Sequence, residues 1–272
     1  MRLFVFGMGY TATRLAERLR HEGWHVGGTG RGGTLAFEDD AAVMHDLALA
    51  SHVLSSVPPS AGSDPVLARY SERIGRCWTG YLSSTGVYGD TSGAWVDESA
   101  PLNGRRADRN EADAAWERLG ARVFRLPGIY GPGRSALDRV ATGAAHRVDV
   151  PGQVFSRVHI DDIVSGVIAG FDAPPGAYNL ADDRPCDQNA VMEEAARLLG
   201  VAPPPFVALD TLSPQARAFY AENRRVSNGK AKRVFGWTPA YPDFVAGLRA
   251  LRAISSPSIA MAPPTAASAV QR

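Results

Sequence analysis

The feature that most constrains this chain is Gly7-Met8-Gly9-Tyr10-Thr11-Ala12, which lies between a short apolar run and a segment of helical period. Arg2 to Phe6 reads as a buried strand. From about Thr11 to Glu22, Ala12, Leu15, Ala16 and Leu19 share one helical face, and Gly23 supplies a C-terminal cap. Between them Gly7 permits a tight turn, Gly9 lets backbone approach an anion without a Cβ clash, and Ala12 keeps the helix close to the sheet. The amides of Tyr10, Thr11 and Ala12 then open the helix at its positive end, where a diphosphate is held well. Glycines at this spacing also mark plain turns. Here they sit in register with both elements at the first strand–helix junction, which points to a dinucleotide pyrophosphate.

Further along, short β-type runs alternate with helical segments, the pattern of a parallel sheet covered on both faces. Strands are expected at Trp24 to Gly28, Val43 to His45, His52 to Val57, Trp78 to Ser83, Arg122 to Leu126 and Tyr178 to Leu180. Helices are expected at Pro65 to Ile74, Asn110 to Leu119, Ser135 to Ala144, Ile160 to Phe171 and Gln188 to Leu199. The fold class is α/β: a Rossmann-type doubly wound parallel sheet with a small C-terminal substrate lobe. The expected organisation is a dinucleotide-binding domain over residues 1–132, rejoined by about 158–182. A substrate lobe takes 133–157 and 183–252, and an Ala/Ser/Pro-rich tail at 253–272 has no helical or strand period.

Composition excludes several classes. A formal net charge of +1, with arginines dispersed, speaks against a nucleic-acid or membrane-surface partner. Cys77 and Cys186 stand apart with no CxxC or CxxH neighbour, so neither a disulfide framework nor a metal site is expected. The N-terminal apolar run is too short for a signal segment or a span, and a cytoplasmic protein is expected.

The end of the second strand bears on cofactor choice. An NAD-selective site usually places an acid there to bond the ribose 2′-hydroxyl. This chain has Thr29-Gly30-Arg31 and no acid before Glu38. A guanidinium suits a 2′-phosphate, so NADP is favoured over NAD, although Arg31 also fits an exposed loop arginine in an arginine-rich chain.

Six further segments carry a family resemblance. They are Tyr81-Leu82-Ser83-Ser84-Thr85-Gly86-Val87-Tyr88-Gly89, Arg125 to Gly133 (RLPGIYGPG), Arg157 to Asp162 (RVHIDD), Tyr178-Asn179-Leu180, Ser227-Asn228-x-Lys230-Ala231 and Gly236-Trp237-x-Pro239. With the glycine loop, they make the chain resemble the extended and atypical branches of the short-chain dehydrogenase/reductase superfamily, the NAD(P)-dependent epimerase/dehydratase group. That resemblance implies Asp46 near the adenine, Val57-Pro58 along the dinucleotide, Pro127 to Tyr130 beside the nicotinamide, and Ser83 among the cofactor-binding residues. It implies that Ser84 bonds the reacting oxygen, a role to be set against a strand-end hydroxyl that satisfies backbone. It also implies a small-molecule substrate and a homodimer. Asp161 and Asp162 read as helix caps, and His159 as a packing histidine.

The family's proton relay is a tyrosine followed four residues later by a lysine. The corresponding stretch, Pro101 to Asp113, contains neither, and the chain's only lysines are Lys230 and Lys232. If Asp113 is the acid that ends the motif, Arg105 and Arg109 take the two places. Arg109 can supply charge and bond a ribose, but Arg105 cannot cycle protons near neutrality. Substitutes for the phenol are Tyr88, Tyr130 and Glu98, each also readable as structural. The expectation is an atypical NAD(P)-dependent oxidoreductase or epimerase acting on a small polar molecule, such as a sugar derivative or nucleotide sugar. The alternative is a catalytically silent NADP(H)-binding sensor or partner subunit.

Overall fold

A computed structural model describes residues 1–255. In chain order the elements begin β1 (Arg2–Phe6), α1 (Tyr10–His21), β2 (His25–Gly28), α2 (Asp40–Leu49), β3 (His52–Ser55), α3 (Pro65–Tyr70) and β4 (Trp78–Ser84). They continue with β5 (Trp95–Val96), α4 (Ala107–Arg118), β6 (Arg122–Leu126), β7 (Gly128–Tyr130), α5 (Ala136–Ala141), β8 (Arg157–His159) and α6 (Ile160–Ala169). The last are β9 (Gly176–Asn179), α7 (Gln188–Leu199), α8 (Pro214–Tyr220), β10 (Arg225–Val226), α9 (Gly229–Phe235) and α10 (Phe244–Ser255).

Strand alternation explains the layering. Leu3 and Val5 face a core with α1 and α6, while Phe4 and Phe6 face the opposite core with α2, α3 and α4. The central sheet has six parallel strands in the order β2-β1-β3-β4-β6-β9. The chain leaves β1 to one side for β2 and crosses to the other for β3. The sheet's topological switch point therefore lies at the carboxyl ends of β1 and β3, where open α/β sheets bind ligands. A third apolar cluster joins α5, α7 and α10 through Leu137, Val191, Met192, Ala195, Leu248 and Leu251.

The expected strand at Val43 to His45 is instead the middle of α2. Asp39 accepts the Ala42 N–H at 3.1 Å as its cap, and Val43 and Leu47, four residues apart, are buried together. Two small parallel pairs, β5 with β10 and β7 with β8, were not expected. Nor were α8, α9 and α10. The last carries regular structure into the expected tail, to Ser255, and the rest of that tail lies outside the described residues.

Candidate active site

Gly7 has φ +82°, and a Cβ there would sit 2.8 Å from the Val57 side chain, so the fold itself demands glycine. Gly9 differs. Its φ is −94°, and the nearest atom to a built Cβ is the Gly7 carbonyl oxygen at 4.0 Å. Nothing in the protein's own packing requires a glycine at this point; a ligand approaching the backbone would. Gly9 caps α1 without a side chain, and the first turn carries no acid, so the amides of Tyr10, Thr11 and Ala12 keep their donor capacity and the helix its positive end. The Ser56 hydroxyl donates to the Gly7 carbonyl at 2.5 Å, tying the loop to the end of β3.

The turn after β2 is pressed onto this loop. Met8 donates its N–H to Thr29 O at 2.7 Å, and Gly32 returns a bond to Met8 O at 3.1 Å. Arg31 is thereby carried, exposed, beside the glycine loop and has no ion-pair partner among the described residues. Asp46 is not brought there. It sits on α2 with its carboxylate against Gly27 and 3.8 Å from the Arg2 guanidinium, at the amino end of β1. The expectation that it attends the adenine is corrected: the helix that replaced the expected strand turns it toward Arg2.

Behind the end of β4 lies a buried polar network. Asp113, fully buried on α4, accepts from Arg125 Nε at 3.1 Å and Nη2 at 2.7 Å, and from the Ser83 hydroxyl at 2.5 Å. Arg125 Nη1 donates to the Tyr88 hydroxyl at 3.1 Å, and that hydroxyl donates to Asn179 Oδ1 at 2.7 Å. Asn179 in turn donates its N–H to Glu98 Oε1 at 2.7 Å. These residues brace β4, β6 and β9 against one another.

Two tyrosine expectations are corrected here. Tyr88 is buried, its phenol is engaged at both donor and acceptor, and burial pushes its pKa up to about 12. Tyr130 belongs to the third apolar cluster, its ring packs edge-on against His159, and its hydroxyl faces Gly247 of α10. Burial raises its pKa as well. Neither phenol lines the cleft. Glu98 is raised by burial and holds backbone. The cap of α6 is also corrected: His159 Nδ1 accepts the Asp161 N–H, while Asp162 accepts the amides of Ala240 and Tyr241 and Asp161 pairs with Arg14 at 2.7 Å.

What faces the cleft is a cavity of about 970 Å³. On the sheet side it is lined by Gly9, Tyr10, Thr11, Pro58, Ser83, Ser84 and Pro127, each singled out from the sequence, and by Ser56, which was not. Val57 lies just behind, its methyl against Gly7. The Ser84 hydroxyl accepts the Gly86 N–H at 3.1 Å, capping a short 3-10 turn, and retains its proton for a partner in the cavity. Arg109 reaches the cavity from α4 without an ion-pair partner among the described residues. Arg105 and Arg106 also line it but are paired, with Glu222 and Asp108. Seven arginines line the cavity against one carboxylate, Glu222, which gives it a strongly positive field. On the far wall stand Arg139, His146, Phe219 and Tyr220, none of them singled out from sequence. They belong to no motif; the third cluster's packing brings Arg139 and His146 to the cleft, whereas Phe219 and Tyr220 arrive on α8.

The fold defines the class as a Rossmann-type doubly wound α/β architecture with a cavity at the switch point of its sheet. Solved structures with that fold include a human epimerase-family protein, SDR39U1, in complex with NADPH, at TM-score 0.74 and 16% identity over 93% of this chain and 99% of that one. The dTDP-glucose 4,6-dehydratase of Bacillus anthracis in complex with NAD matches at TM-score 0.74 and 16% identity over 93% and 96% of the two chains. The family is shown by a nearer relative. A conserved protein of unknown function from Silicibacter pomeroyi is 40% identical over 93% of this chain and 98% of its own, at TM-score 0.83, and this chain belongs to its family. Protein YeeZ of Escherichia coli K12 is 32% identical over 139 residues, 46% of this chain. That match spans about half of the curated relative, 47% of its length. No family model matches the chain.

Proposed function

We propose that this protein is an NADP(H)-dependent oxidoreductase or epimerase of the cytoplasm, acting on a small polar, sugar-like substrate. The observation that carries the reading is Gly9: an uncapped helix start whose missing Cβ answers to no packing contact, on the same cavity wall as Ser84 and Pro127. The residues fit a dinucleotide. The amides of Tyr10 to Ala12 would hold the pyrophosphate, Arg31 a ribose 2′-phosphate, and Arg109 a ribose or an anionic group. The bound nicotinamide would supply hydride chemistry. Ser84, with its proton free, donates a hydrogen bond to the reacting oxygen and stabilises charge that develops there. Arg109, without an ion-pair partner among the described residues, adds positive charge to the same cavity.

A second reading, a dinucleotide-binding protein without turnover, draws on a specific observation. The relay positions hold Arg105, just before α4, and Arg109, in its first turn, and Tyr88 and Tyr130 are buried off the cleft. One experiment separates the two. The purified protein is titrated with NADPH, NADP, NADH and NAD, and nicotinamide absorbance is then followed against a panel of carbonyl compounds and sugars. Turnover that falls on Ser84→Ala supports the enzyme. Tight binding with no turnover on any substrate supports the silent protein.

A further inference from the structure

Between Val207 and Asn223 the chain crosses the mouth of the cavity with little to hold it. No residue from 208 to 221 is buried, yet Leu212, Gln215, Phe219 and Tyr220 line the cavity, and Phe219 does so while 66% exposed. Both ends are fixed. Upstream, Val207 donates to Arg147 O at 2.9 Å, and the Arg147 guanidinium lies 4.0 Å over the Phe206 ring. Downstream, Asn223 N donates to Asp90 at 2.8 Å, and its carbonyl accepts from Thr91 and Gly93.

The span between these anchors meets the dinucleotide side through Arg105. Its Nη2 donates to Ala218 O, in the last turn of α8, at 2.9 Å. Its Nε donates to Glu222 at 2.5 Å. A cation there satisfies a carbonyl that the helix end leaves open. Glu222 is itself held by Arg224 at 2.6 Å, and Arg224 donates to Gly89 O at 2.8 Å. Burial disfavours the Glu222 charge, but hydrogen bonds from Arg105 and Arg224 outweigh it, and the carboxyl stays below its usual range. The pairing is therefore intact near neutral pH. The Tyr220 ring also meets Phe155, with centroids 5.6 Å apart.

We propose that residues 208–221 are a flap over the cavity, and that Arg105 is the positioning residue that latches it shut. The latch governs access to the cleft and so selects substrates by size. The position that the resemblance would give to a relay tyrosine thus holds a closure device.

The flap is tested in the full chain by amide hydrogen exchange, without cofactor, on wild type, Arg105→Ala, Arg105→Lys and Glu222→Gln. Arg105→Ala should speed exchange in 208–221 about tenfold or more, as expected when charge-assisted bonds are lost, with residues 1–50 unchanged. Arg105→Lys, which keeps the charge, should restore part of the protection. Unchanged exchange in 208–221 would overturn the proposal; so would faster exchange throughout the sheet, because Arg105 would then be a residue of the fold. A second arm rests on the dinucleotide reading: NADPH bound to Arg105→Ala should be quenched several-fold more readily by acrylamide than when bound to wild type. If NADPH does not bind, that reading fails while the exchange arm still decides the flap. Equal quenching in both proteins counts against closure.

Discussion

Replacing Asp113 with alanine should be among the most damaging single changes outside the apolar core. Asp113 is 0% and Arg125 2% exposed at the side chain, and four hydrogen bonds from three donor groups converge on the carboxylate. Without it, the buried guanidinium keeps the Tyr88 hydroxyl, the Glu98 carbonyl at 3.5 Å and, at 3.6 Å, the Glu117 carboxylate, which is 45% exposed and so offsets the loss only weakly. Removing one member of a buried pair costs about 3–5 kcal/mol, chiefly from the stranded charge. At a urea slope of about 3 kcal/mol/M, a loss of about 4 kcal/mol lowers the midpoint by roughly 1.3 M. Arg125→Met alone should cost a comparable amount. The double variant Asp113→Leu with Arg125→Met strands no charge and leaves Ser83 and Tyr88 each short of one partner, so it should cost less than either single change. Equilibrium urea unfolding of the four proteins, followed by tryptophan fluorescence and far-ultraviolet circular dichroism, supplies the cycle. A loss below about 1 kcal/mol for Asp113→Ala, or a double variant equal to the sum of the singles, would refute the account of a charge pair isolated from solvent.

Other outcomes follow from single residues. Gly9→Ala should fold with a loss under about 1 kcal/mol, since the new methyl comes no closer than 4.0 Å to another atom, yet weaken dinucleotide binding at least about tenfold by calorimetry. Gly28→Ala, whose Cβ would stand 2.1 Å from the Val5 carbonyl oxygen, should not fold, as circular dichroism will report. Burial pushes Asp182 up to about 8, above its unfolded value near 3.9, so the folded state holds a proton that the unfolded state releases. The associated stability is fully present below about pH 4 and is lost as pH rises toward 8. Asp182→Asn should flatten that fall and raise the melting temperature near pH 7, with a ceiling of roughly 4 kcal/mol. Arg31→Ala should weaken NADPH about tenfold and leave NADH unchanged, which paired titrations will decide.

The sheet and its two helical layers were legible in the sequence because their signals are local. Phe4 and Phe6 alternate with Leu3 and Val5, and α1 repeats every three to four residues. Val43 to His45 misled because three residues cannot distinguish strand from helix, whereas the Asp39 cap and the Val43–Leu47 spacing could have. The pairs β5–β10 and β7–β8 were illegible, since each strand has two or three residues and its partner is distant in the chain. At the site, the glycine loop and Ser84 were readable from their place at strand ends. Tyr88 and Tyr130 were not, because a motif fixes a position along the strand but not the layer into which a ring turns. Arg139, His146 and Tyr220 carried no signal at all.

The order of the central sheet has a consequence for the protein during its synthesis. β6 receives its outer neighbour, β9, only after the chain has run from Leu126 to Gly176 through α5, β8 and α6. Until then the nascent protein presents an unpaired strand edge bearing Val123 and Phe124, which are fully covered once folding is complete. A fragment ending after β6 would keep that edge bare, and self-association through it is its expected fate.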